Sequence, residues 1–187
     1  VDAIDQESSG TVSLGTEWAT AEDYSRDLTS RSGGRVRQAG ASVEFLDWTI
    51  DGRRLRSLLR LPSGRVPDER TRMLAGEEGH PWASASLLAL LEDQHETRDS
   101  RVRYDTGRTA VLYCPQCQDL GCPAVTAHIE FDESTVRWRQ LGYETKFSES
   151  PTFETFDRID LTFDRVQYEA TIRQLLAVWG PGTWDGR

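Results

Sequence analysis

The chain of 187 residues carries 31 acidic against 22 basic side chains, for a formal charge of −9, and 37% of it is hydrophobic. That length suits one sizeable domain, and an apolar share that includes six Trp is ample for a core. The negative charge argues against general affinity for nucleic acid or an anionic membrane, since both would repel it. No apolar run approaches the roughly 20 residues of a membrane helix; the longest, "ASASLLALL" at 83–91, is far shorter. The opening "VDAIDQESSG" is acidic and polar, unlike a secretion signal, so a cytoplasmic location is expected. All but one of the 22 basic residues are Arg, the exception being Lys146, a skew that matches GC-rich coding such as that of actinobacteria.

Residues 1–40 are rich in Ser, Thr, Gly and acids. They read as an N-terminal segment that is partly flexible or supplies one docked strand near Thr11–Trp18, with "TSRSGGR" at 29–35 as a flexible link. Residues 41–187 read as a single α+β domain. Its first element, "ASVEFLDWTIDG", is rich in β-formers, places Leu46, Trp48 and Ile50 on one face, and closes on Asp51-Gly52. "RRLRSLLR" then suits a short amphipathic helix, with Leu55, Leu58 and Leu59 inward and Arg53, Arg56 and Arg60 toward solvent, stopped by Pro62. A loop over 63–81 precedes a second helix near Trp82–Leu91.

The centre predicts an antiparallel meander. "RVRY" and "TAVLY" flank a hairpin-type connection at Asp105–Arg108. "AVTAHIEF" alternates, with Val125, Ala127, Ile129 and Phe131 on one face and Thr126, His128 and Glu130 on the other. After the turn "DEST", Val136 and Trp138 alternate with Arg137 and Arg139, a pattern that belongs to a sheet with one wet face. The strand "RIDLTF" leads into a C-terminal helix. Asp164 suits its N-cap, Gln167 completes a capping-box pattern, and Phe163 can staple onto Tyr168. Tyr168, Ile172, Leu175, Leu176 and Trp179 form its buried stripe, ended by Gly180-Pro181. The fold class expected is α+β: an antiparallel sheet packed with about three helices.

The three cysteines, Cys114, Cys117 and Cys122, fall within one short stretch, "YCPQCQDLGC". Their C-x2-C-x4-C spacing lets two thiolates of the first turn face one zinc ion and returns a third through Gly121 and Pro123. Closed structural zinc sites use four ligands, and the fourth is open. His128 is the obvious choice, but in a strand over 124–131 it would lie on the order of 15 Å along the chain from Cys122. Ligands held about 2 Å from one metal cannot be that far apart, so the strand excludes it. Asp119, His80, His95 or water remain. A redox C-x2-C usually starts a helix that depresses the first thiol's pKa, and "QDLGCP" cannot make a helix of any length. The cysteines can also simply pack as small buried side chains at a turn. Zinc, inert packing and redox chemistry all stand at this point.

On these residues, "LYCPQCQDLGCPAVTAHIEFDESTVRWRQLGYE" resembles the central segment of a family of uncharacterised actinobacterial proteins with an LYxCPxCxDLGC pattern, the first Cys following Tyr113 directly in this chain. The resemblance covers about 35 residues and implies a shared fold; it transfers no catalytic residue.

Other features point less far. Five Arg between 53 and 65 have the look of a phosphate-binding patch, but Arg opposite Leu is also the solvated side of an amphipathic helix. A catalytic or metal role for Glu92, Asp93, His95 and Glu96, or for "EEGH" at 77–80, would need them to converge with partners; a helix tail and polar loop explain both more simply. No nucleotide-binding glycine loop, nucleophile elbow or helical His pair occurs. Trp82, Trp138, Tyr143, Trp179 and Trp184 suit core packing, or an exposed aromatic contact surface if several of them face solvent. The function expected is therefore non-enzymatic: an acidic protein that binds another, basic protein, immunity- or antitoxin-like or regulatory, with a cysteine-braced, candidate zinc-binding hairpin at Cys114, Cys117 and Cys122. The alternative is a thiol-dependent oxidoreductase, or a metal or redox sensor, using the same C-x2-C turn.

Overall fold

A computed structural model of the chain describes residues 10–20, 44–59, 74–75, 81–91, 104, 106–112, 124–145, 153–156 and 159–179. The described elements, in chain order, are β1 (Leu14–Thr20), β2 (Glu44–Ile50), β3 (Arg53–Arg54), α1 (Leu55–Leu58), β4 (Leu74–Ala75), α2 (Pro81–Leu88), β5 (Thr109–Leu112), β6 (Ala124–Phe131), β7 (Thr135–Glu144), β8 (Phe153–Thr155), β9 (Leu161–Asp164) and α3 (Arg165–Trp179). The class is α+β, as expected, with antiparallel sheets and a C-terminal helix.

Two sheets are built from these strands. β1 pairs antiparallel with β2 along its whole length, from Leu14 opposite Ile50 to Thr20 opposite Glu44. β3 and β4 pair with opposite ends of β2. The second sheet runs β5-β6-β7-β8, and β9 shares with β8 the far edge of β7. Val12 joins the sheets through a parallel bridge to Phe163, its N–H donating to the Thr162 carbonyl at 2.7 Å.

Local chemistry explains the turns. Asp51 and Gly52 both take positive φ, 48° and 74°, the two-residue reversal that joins right-twisted strands without splaying them. Gly107, at φ 78°, donates to the Tyr104 carbonyl, while Tyr104 N–H donates to the Arg108 carbonyl. Those bonds close the hairpin turn expected before β5. Residues 101–103, the rest of "RVRY", lie outside the described residues. Asp164 caps α3 by accepting from Gln167 N–H at 2.9 Å, and the Phe163 and Tyr168 rings meet at 5.4 Å, as a staple should.

The reciprocal half of the capping box does not form. The Gln167 amide instead donates to the Leu14 carbonyl at 2.6 Å and accepts from Leu14 N–H at 3.1 Å, so the side chain pairs with the edge of β1 as a short strand would. Thr171 adds a bond to the same carbonyl. Two peptide-like bonds fix the register of β1 against α3, and with Leu14 buried they draw the N-terminal strand into the core. The link expected at 29–35 lies outside the described residues, as does Gly180-Pro181 after α3.

The core is aromatic at its centre. Trp48, Trp138, Phe163 and Tyr168 are fully buried, and their rings meet edge-on or tilted at 5.2–6.1 Å. Burying a Phe-sized side chain contributes roughly 1.5–3 kcal/mol, with about 0.5–1.5 kcal/mol more per well-placed ring pair. Their polar atoms are satisfied across elements. Trp48 Nε1–H donates to the Val111 carbonyl at 3.1 Å, tying the two sheets. Trp138 Nε1–H donates to Tyr168 Oη, which donates in turn to the Leu90 carbonyl just past the end of α2. Burial pushes the Tyr168 hydroxyl far above its ordinary pKa, so it stays protonated and keeps donating.

Two expectations require correction. Arg53–Arg54 form a strand against β2 rather than the start of a helix, leaving α1 a single turn. Arg56 does not face solvent: it is 8% exposed, with its Nε–H on Asp47 Oδ2 at 2.7 Å. An apolar–basic alternation cannot reveal an acid from a neighbouring strand that draws the guanidinium inward. Trp138, open to either a surface or a core role from the sequence, lies at the centre of the core, as its alternation with Arg137 and Arg139 suggests.

Candidate functional site

Cys114, Cys117 and Cys122 all fall within residues 113–123, which connect β5 to β6 and lie outside the described residues. His80, His95, Asp119, Glu92, Asp93, Glu96, Trp184 and "EEGH" lie outside them as well, as do the side chains of Trp82 and Trp179. The described structure supplies the frame of the connection. It leaves β5 at Leu112 and returns to β6 at Ala124, and Leu112 pairs with Val125, so its two ends meet on neighbouring antiparallel strands. His128 sits well inside the continuous strand β6, half-buried and opposite Arg139. Four residues of strand carry it about 13 Å from Ala124, where the connection arrives. Among the described residues no group of three His, Cys, Asp or Glu could hold a metal ion.

Directly beside this frame lies a buried polar cluster. β7 bulges where its register with β6 shifts between Thr126 and His128, and Gln140 there takes φ 50°. The bulge swaps faces: Val136 and Trp138 point into the core before it, Leu141 and Tyr143 after it. Beyond it Gly142 and Glu144 therefore share the outer face with Thr126, Ala124, Ala110 and Arg108. Arg108 (3% exposed), Thr126 (0%) and Glu144 (5%) are all buried there.

Arg108 Nε–H donates to Thr126 Oγ1 at 2.9 Å and lies 3.5 Å from Glu144 Oε2. Its Nη2 donates to the carbonyls of Thr126 and Gln140. The Thr126 hydroxyl donates to Glu144 Oε2 at 3.0 Å, and Thr106 donates to the other carboxylate oxygen at 3.1 Å. The guanidinium also stacks on the Phe153 ring, 3.9 Å from its centre. That ring occupies the space a Cβ on Gly142 would need, so only glycine fits opposite it. Burial lowers the Arg108 pKa, and the Glu144 charge opposes that.

Chemically the cluster is a clamp. One guanidinium ties β5, the β6 backbone, the β7 bulge and the β8 aromatic together, and Asp160 holds the bulge from its other side by accepting from Gln140 N–H at 2.8 Å. The outer face of the first sheet repeats the theme. Asp47, wholly buried, accepts from Arg56 and from Trp48 N–H, while Glu17 pairs with Arg54 on the same face. Burial raises the Asp47 pKa above the usual carboxylate value despite the opposing Arg56 charge.

These contacts settle the fate of the arginines that suggested a phosphate patch. Arg54 and Arg56 are engaged with Glu17 and Asp47, Arg53 is exposed, and Arg60 and Arg65 lie outside the described residues. Of the aromatic candidates Tyr143 is half-buried, whereas Trp18 on β1 is 56% exposed.

Sequence reasoning took the outer face of the meander as wet and so missed the clamp. A signal was present. Toward the tip of the β6–β7 hairpin that face carries His128, Glu130, Arg137 and Arg139, long polar residues with ion pairs at 3.1 and 3.9 Å among partly exposed side chains. Toward the cysteine end it carries Ala110, Ala124, Thr126 and Gly142, small residues that a covering layer needs and a wet face does not. The membrane expectation holds in its coarse form: among the described residues no helix is long and apolar enough to cross a bilayer. No family model matches the chain, and neither a curated protein nor a solved structure does.

Proposed function

We propose that the chain acts by binding another protein, with Cys114, Cys117 and Cys122 holding zinc at the end of the β5–β6 hairpin. The observation that carries this reading is the pairing of Leu112 with Val125, which starts and ends the cysteine connection on adjacent strands. Cys114 lies two residues beyond Leu112 and Cys122 two before Ala124. At no more than about 3.6 Å per residue, both thiols are tethered close to the hairpin end. Three thiolates so confined need one further donor, from elsewhere in the chain or from water, to complete a tetrahedral zinc site. The Arg108–Thr126–Glu144 clamp beneath gives that end a rigid base.

The partner proposed is basic, since the chain carries a formal charge of −9 and complementary fields steer association. An immunity- or antitoxin-like role in the cytoplasm fits that charge. Metal analysis of untagged protein tests the site: one zinc per chain is expected, lost together with stability in Cys117→Ser. A metal-free protein whose Cys114 thiol titrates well below pH 7 would instead assign the turn to thiol–disulfide chemistry. For the partner, a complex with a basic protein that weakens as salt rises is expected; an acidic partner, or salt-independent binding, overturns the charge argument.

A further inference from the structure

We draw no further inference here: the strongest candidate, the buried Arg108–Thr126–Glu144 cluster on the outer face of the five-stranded sheet, belongs to the site already described and directs its hydrogen bonds into the sheet itself.

Discussion

Replacing Arg108 with Met tests whether the outer-face cluster is a structural clamp. The guanidinium is 3% exposed and bonds to Thr126 Oγ1, to the Thr126 and Gln140 carbonyls and to Glu144. Its removal leaves the buried Glu144 carboxylate with only the hydroxyls of Thr126 and Thr106. Breaking a buried ion pair by deleting one partner costs about 3–5 kcal/mol. Glu144→Gln keeps the shape and one of the two acceptor oxygens while removing the charge, and should cost about 1–3 kcal/mol. The double variant Arg108→Met/Glu144→Gln no longer holds an uncompensated charge, so its loss should fall short of the sum of the singles by more than about 1 kcal/mol. Urea unfolding followed by tryptophan fluorescence reads all three, because Trp48 and Trp138 are fully buried and report loss of the core. In a chain of this size about 3 kcal/mol corresponds to a melting shift of roughly 6–12 °C. Single-variant losses below about 0.5 kcal/mol, or additivity within that margin, would refute the clamp.

Four further substitutions probe the same geometry. Gly142→Ala puts a Cβ 2.2 Å from the Phe153 ring and 2.9 Å from the Glu154 carbonyl oxygen, so it should lower the thermal midpoint by the equivalent of about 1–3 kcal/mol. The same change at Gly52, where no atom lies within 4 Å but φ is 74°, tests backbone strain by itself. Tyr168→Phe leaves Trp138 Nε1–H and the Leu90 carbonyl unpaired in the core and should cost about 1–3 kcal/mol in urea unfolding with the overall fold retained by circular dichroism. Asp47 has a raised folded pKa, so the native state holds its proton more tightly than the unfolded chain. Its contribution to stability is therefore full below the ordinary carboxylate value of 3.8 and declines as pH rises through the folded value. Asp47→Asn should remove that downward slope from urea midpoints measured across mildly acidic pH; an unchanged slope would show that Arg56 cancels the effect of burial, and a steeper fall in the variant that Arg56 outweighs it.

Local periodicity made much of the fold readable. The alternation of "AVTAHIEF" placed Val125, Ala127, Ile129 and Phe131 against the core, and Asp51-Gly52 and Asp164 marked a turn and a cap where they stand. Tyr168, Ile172 and Leu175 could be named as the buried stripe of α3 because helical spacing leaves no other face for them. The reach of the argument ended where a residue's partner lies on another element. Arg56 and Arg108 look like solvated charges until β2 supplies Asp47 and β7 supplies Glu144. Gln167 matches a capping box until β1 arrives beside it.

The sequence by itself determined the α+β class, the strands and turns of the β6–β7 unit, the C-terminal helix and the place of His128 within a strand. Each follows from dihedral preferences and from the spacing of apolar side chains, which act over a few residues. Only the tertiary structure decided that both sheets bury charge on their outer faces, which of the two readings of Trp138 holds, and that a bulge at Gln140 sets Glu144 on the outer face beside Arg108 and Thr126. Periodicity separates a polar face from an apolar one. Whether the polar face meets water or another layer depends on which distant element covers it.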